Sequence, residues 1–75
     1  MEWIKSKLEG DTNTYFLMEI NKLLIHLYWH KHSNVWYAEM LNGDLRVKLN
    51  LKLDELEKVK VKSLEYYFKF LEVKI

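Results

Sequence analysis

The sequence predicts an α+β fold, a four-stranded antiparallel meander covered on one face by a C-terminal helix, with a short helix at the N-terminus. Three observations predict it. Asn42-Gly43 stands between two apolar-rich runs, and Asn-Gly is the strongest short-range hairpin signal because both turn residues of a type I′ turn need positive φ. Turns placed independently before that hairpin gather one consistent apolar face, and such agreement between levels favours the fold. After Leu53 the apolar period lengthens from two residues towards that of an amphipathic helix.

The opening segment, Trp3-Ile4 with Lys7-Leu8, reads as one or two helical turns, a short edge strand being the alternative. A tight turn at Asn21-Lys22 pairs Ile20 with Leu23, Met18 with Ile25, Phe16 with Leu27 and Tyr15 with Tyr28. Asn tolerates the left-handed conformation, whereas Lys is a poor second turn residue. A four-residue loop, Lys31 to Asn34, pairs His30 with Val35, Trp29 with Trp36, Tyr28 with Tyr37, Leu27 with Ala38, His26 with Glu39 and Ile25 with Met40. The Asn42-Gly43 turn then pairs Leu41 with Asp44, Met40 with Leu45, Glu39 with Arg46, Ala38 with Val47, Tyr37 with Lys48 and Trp36 with Leu49. One face receives the apolar residues, and opposite charges meet on the other.

The last twenty residues read as a helix. At 100° per residue Leu53, Leu56, Val61, Leu64, Tyr67, Phe68, Leu71 and Ile75 share an arc that should meet the sheet, interrupted by Lys60. Lys58, Lys62, Glu65, Lys69 and Glu72 form the polar side. Asp54, Glu55 and Glu57 lie in the first turn and Lys74 in the last, as the helix dipole prefers. The alternation Lys58-Val59-Lys60-Val61-Lys62 is the competing strand signal.

Composition bounds the function. Seventy-five residues are expected to form one small domain, 1–75. The absence of cysteine excludes disulfides, thiolate metal sites and a cysteine nucleophile. Twelve Lys and Arg against eleven Asp and Glu leave no overall field that draws the chain to nucleic acid or an anionic membrane. No apolar run approaches the length of a bilayer span, and Met1-Glu2-Trp3 opens without the basic and apolar segments of a secretory signal. A cytoplasmic protein is expected.

The register places Tyr15, Tyr28, Tyr37 and Lys48 in one row of the outer sheet face, with Leu17, His26, Glu39 and Arg46 in the next and His30 beyond. Tyr, His, Arg and Lys together suit a recognition surface, because tyrosine offers rigid area and a polar handle. The competing explanation is that aromatic cross-strand pairs only stabilise a small sheet, at ~0.2–1 kcal/mol each. A protein partner is expected there. Nucleic acid is the alternative, since RRM and OB sheets stack bases on aromatic side chains, although Glu19, Glu39 and Asp44 share the surface. His26 and His30 lie two pleats apart, ~13 Å, too far for one ion, and the helical zinc pattern lacks its glutamate because position 27 is Leu. Neither a cofactor nor a metal is expected. Ser6, Ser33 and Ser63 stand outside any nucleophile motif, and no catalytic residue is assigned. On the helix, Val59, Tyr66, Phe70 and Val73 form a second apolar strip. Either Trp3, Ile4 and Leu8 fold over it or a second copy does, giving a homodimer.

The succession of Trp3, the Tyr15–Ile20 and Leu23–Trp29 strands, Trp36-Tyr37 and a helix introduced by Leu53-Asp54-Glu55-Leu56 resembles small phage- and prophage-encoded accessory proteins. The terminal helix also looks like the one that ends HicB-type antitoxins, although this chain lacks their proline-rich strand turn. The resemblance implies a non-enzymatic inhibitor or accessory factor that binds and blocks a larger host protein, such as a restriction or CRISPR component. The charge of +1 disfavours an acidic mimic of nucleic acid.

Overall fold

The computed structural model describes residues 1–7, 13–41 and 43–73, with side chains to residue 71 of the last helix. Leu8, Asn42, Lys74 and Ile75 and the side chains of Glu72 and Val73, which entered the sequence reading, lie outside this description. Five strands and one helix follow in order: β1 (Glu2–Lys5), β2 (Thr14–Glu19), β3 (Lys22–His30), β4 (Val35–Met40), β5 (Leu45–Leu49) and α1 (Leu56–Val73). The strands form one antiparallel meander in chain order. The α+β class and the antiparallel sheet are therefore as expected. The strand count is not.

The additional strand is β1, where a helix was expected. Trp3 pairs with Leu17 and Ile4 with Phe16. The edge-strand alternative prevails because period-two alternation sends Trp3 towards the core while Ile4 faces outward beside Phe16. An isolated helix of one or two turns closes too few hydrogen bonds to offset its nucleation cost.

The β3–β4 and β4–β5 registers match the sequence reading residue for residue, from His30 with Val35 to Ile25 with Met40 and from Met40 with Leu45 to Trp36 with Leu49. Geometry at the β4–β5 connection differs, however. Leu41 takes φ 55° and Gly43 φ 86°, and the Gly43 and Asp44 amides donate to the Met40 and Leu41 carbonyls. The ladder therefore ends at Met40 with Leu45, and the expected pair of Leu41 with Asp44 is no part of it.

The β2–β3 register is corrected by one residue over most of its length. Glu19 pairs with Lys22, so Ile20 and Asn21 form the turn, both at positive φ. Asn21 thereby takes the second position, which suits it better than Lys22. Met18 then pairs with Leu23 but Leu17 with Ile25, which leaves Leu24 as the extra residue of a β-bulge. Leu24 and Ile25 are both buried. A one-residue slip flips every side chain of a strand. Tyr15 and Leu17 accordingly face the core, and Phe16 takes the outer face.

The core lies between sheet and helix. Leu17, Leu24, Ile25, Leu27, Trp36, Ala38, Met40, Leu49 and Val59 form its buried cluster, with Trp3, Tyr15, Trp29, Tyr66 and Tyr67 packed around it. The helix is rotated from the expected setting. Val59 and Ser63 are fully buried, whereas Val61 and Phe68, assigned to the core arc, are 57% and 47% exposed. A small polar residue at the contact admits the helix backbone close to the sheet, and the Ser63 hydroxyl is satisfied by the Lys60 carbonyl at 2.8 Å. Before the helix, the Trp36 indole and the Glu55 amide both donate to the Lys52 carbonyl, at 3.0 Å each. That turn ties β4 to the start of α1.

Candidate aromatic interface

Among the described residues no element covers the outer face of the sheet. In the observed register Thr14, Tyr28, Tyr37 and Lys48 form one row and Phe16, His26, Glu39 and Arg46 the next. Tyr15 is thus removed from the expected surface. Its ring instead lies 6.3 Å from that of Trp36, with the Lys60 ammonium 5.5 Å from its centroid. Phe16 replaces it, a residue that the apolar-on-both-faces segment Tyr15-Phe16-Leu17-Met18 could not single out. The structure brings His26, Tyr28, His30, Tyr37, Arg46 and Lys48 together on this face.

Six rings make a continuous chain across it. Phe16 stacks on His26 (5.0 Å, 20°), His26 meets Tyr28 (5.1 Å) and Tyr28 stacks on Tyr37 (5.7 Å, 25°). Tyr37 contacts His30 edge-on (5.4 Å), and His30 contacts His32 (5.9 Å). Offset and edge-to-face pairs at such spacings contribute about 0.5–1.5 kcal/mol each beyond burial. The Arg46 guanidinium lies 4.4 Å from the Tyr37 centroid.

Electrostatics on the face follow from one carboxylate. Glu39 stands opposite Arg46 in the ladder, yet it accepts from the Tyr28 hydroxyl at 3.1 Å and sits 3.8 Å from His26 Nδ1. The expected Glu39–Arg46 ion pair does not form, and Arg46 leans on tyrosine instead. Partial burial raises the Tyr28 phenol above its ordinary value, reinforced by the hydrogen bond and charge of Glu39 and opposed by Arg46. At His30 the Ser33 amide donates to Nδ1 at 3.2 Å. Among the described residues no three histidine or carboxylate side chains gather at one point.

The helix strip fares differently. Val59 is fully buried, Tyr66 packs against the core and Phe70 is half-buried. The expected dimer strip therefore begins inside the sheet–helix contact, at Val59. Among the described residues no helix is long and apolar enough to cross a membrane. No family model matches the chain, and neither a curated protein nor a solved structure is significantly similar to it.

Proposed function

We propose that this protein is a non-enzymatic interaction module that binds a larger protein through the open face of its sheet. The chain of six rings bordered by Arg46 and Lys48 carries this reading. Interface hot spots favour tyrosine and arginine held in defined positions, and here each ring is braced by the next. In the reading that the sequence resemblance favours, the chain acts in the cytoplasm as a mobile-element inhibitor or accessory factor and blocks a host defence component.

The ring geometry also weighs against the nucleic-acid alternative. Base binding on a sheet needs free ring faces. In this face Phe16 and His26 cover one another, and Tyr37 is contacted by Tyr28 and overlain by Arg46.

The test is Tyr37→Ala and Arg46→Ala, with partner capture from host extract and thermal melting measured on the same samples. Loss of the captured protein at a melting temperature corrected for folding supports the reading. Retained capture overturns it. A mobility shift with single-stranded RNA or DNA that collapses with salt and disappears in the same variants would establish the nucleic-acid alternative instead.

A further inference from the structure

The sheet order leaves β5 paired on one side only, and the free side of an edge strand presents alternate amides and carbonyls ready for another strand. Its two outward side chains are the cations Arg46 and Lys48, both exposed. Neither has a carboxylate within ion-pair distance among the described residues. On the other face the helix brings two further groups to the same edge. Lys62 and Tyr66 line a depression of about 210 Å³ with Lys48, Leu49, Asn50 and Leu51. Lys69 and Glu65 extend this lining along the helix, and Glu65 is already paired with Lys62 at 3.8 Å. On its outer face the β5 edge thus carries two cations without a carboxylate partner, on a chain whose overall charge is only +1.

A second copy fits this edge poorly. Any two-fold pairing of β5 with itself that matches the faces over two or more of its strand residues sets Arg46 and Lys48 against each other or against themselves, and like charges directly opposite destabilise a ladder. Lysine on an edge strand ordinarily guards against such pairing. An acidic strand meets no such barrier.

We infer that the β5 edge docks an extended acidic segment of the partner as a sixth strand, with carboxylates at alternate positions opposite Arg46 and Lys48. The partner is a protein only under the reading proposed above, but the site uses backbone and charge rather than the ring chain. Main-chain pairing supplies affinity in this mode and the alternate side chains supply selectivity.

The probe is a capped peptide of alternating glutamate and threonine. Its controls are the same residues with the glutamates in one block, an alternating lysine–threonine peptide, and oligothymidylate. The alternating acidic peptide is expected to slow amide exchange along Leu45–Leu49 and to bind more tightly as salt falls. The double variant R46E/K48E should weaken it at least tenfold and take up the lysine peptide instead; R46Q/K48Q, which keeps the edge polar, serves if the reversal does not fold. Absence of protection at β5 overturns the inference. So does equal binding of the block peptide or oligothymidylate, which would mean diffuse attraction of polyanions, and so does unchanged affinity in both double variants. Should peptide docking fail while Tyr37→Ala still loses the captured partner, the ring surface stands and only the edge falls. Should peptide docking succeed while Tyr37→Ala retains the partner, the edge stands without the ring surface.

Discussion

Ile20 shows what the shortest connection in the sheet costs. Its φ is 45°, in the left-handed region, and its side chain is 94% exposed. A β-branched residue there is a steric outlier, and the conformation costs an L-residue roughly 1–2 kcal/mol. Almost no burial offsets this strain. Ile20→Asn is therefore expected to stabilise the protein by about 1 kcal/mol, read as a higher urea midpoint at an unchanged slope. A lower midpoint would mean that Ile20 makes apolar contacts that the fold needs. Gly43 marks the opposite choice at the next β-turn but one. It stands at φ 86° with no atom within 4 Å of an added Cβ, so its role is conformational, not steric.

At the scale of elements, what the sequence made legible depended on how much choice each segment left. Asn42-Gly43 and Lys31 to Asn34 each admit one register that puts apolar residues on one side, and both registers are observed. The β2 segment reads Thr-Tyr-Phe-Leu-Met-Glu, apolar on both faces, so either register fills the core. The choice is made by Asn21 in the turn and by the bulge at Leu24, a backbone feature with no sequence signature of its own. Four residues were too few to distinguish the β1 strand from helical turns. The C-terminal helix is present as expected, but the face it turns to the sheet was harder to read. Its apolar residues span so wide an arc that the wheel has no clear centre, and Ser63, at the middle of the real contact, counts as polar. Its start was better marked. The Glu55 carboxylate accepts from the Lys52 amide at 2.9 Å and from Lys58 at 3.2 Å. These bonds, the backbone amide foremost, hold the Glu55 carboxyl below its ordinary value of 4.5. A carboxyl lowered by folding contributes stability that is present above the unfolded value and lost as pH falls through the folded one. Glu55→Gln should therefore flatten the acid limb of a melting-temperature profile below about pH 4.5, leaving a smaller difference from the wild type at pH 2 than at pH 7. An equal difference at both would show that the carboxylate charge has no part in holding the turn.

At the scale of the molecule, the fold is one sheet and one helix sharing a single core, so the setting of the helix governs everything else. Helix rotation decides which apolar residues are structural and which remain outside. Val59 touches the buried cluster and is fully buried; Phe68, nine residues on, is 47% exposed with its ring against Tyr67 at 5.6 Å. The two substitutions Val59→Ala and Phe68→Ala measure that rotation. Alanine is the better helix former at both positions, so propensity favours each variant by a similar few tenths of a kcal/mol. The remaining difference is packing. Removing two methyl groups from a filled core costs about 1–3 kcal/mol, whereas an exposed side chain away from special features changes stability by about 0.5 kcal/mol or less. The smaller residue is thus expected to matter more than the phenylalanine. Tryptophan fluorescence and far-ultraviolet circular dichroism should report this in one coincident transition. Trp36 is hydrogen-bonded to the turn before the helix, and Trp3 lies 5.9 Å from the Lys60 ammonium. Sheet strands at both sides of the core therefore sense the same helix. A Phe68→Ala variant that melts earlier than Val59→Ala would return Phe68 to the core and free Val59 for the exposed strip that the sequence alone suggested. Two separate transitions would mean that the helix leaves the sheet before the sheet unfolds, exposing the inner face of Leu27, Trp36, Ala38 and Leu49.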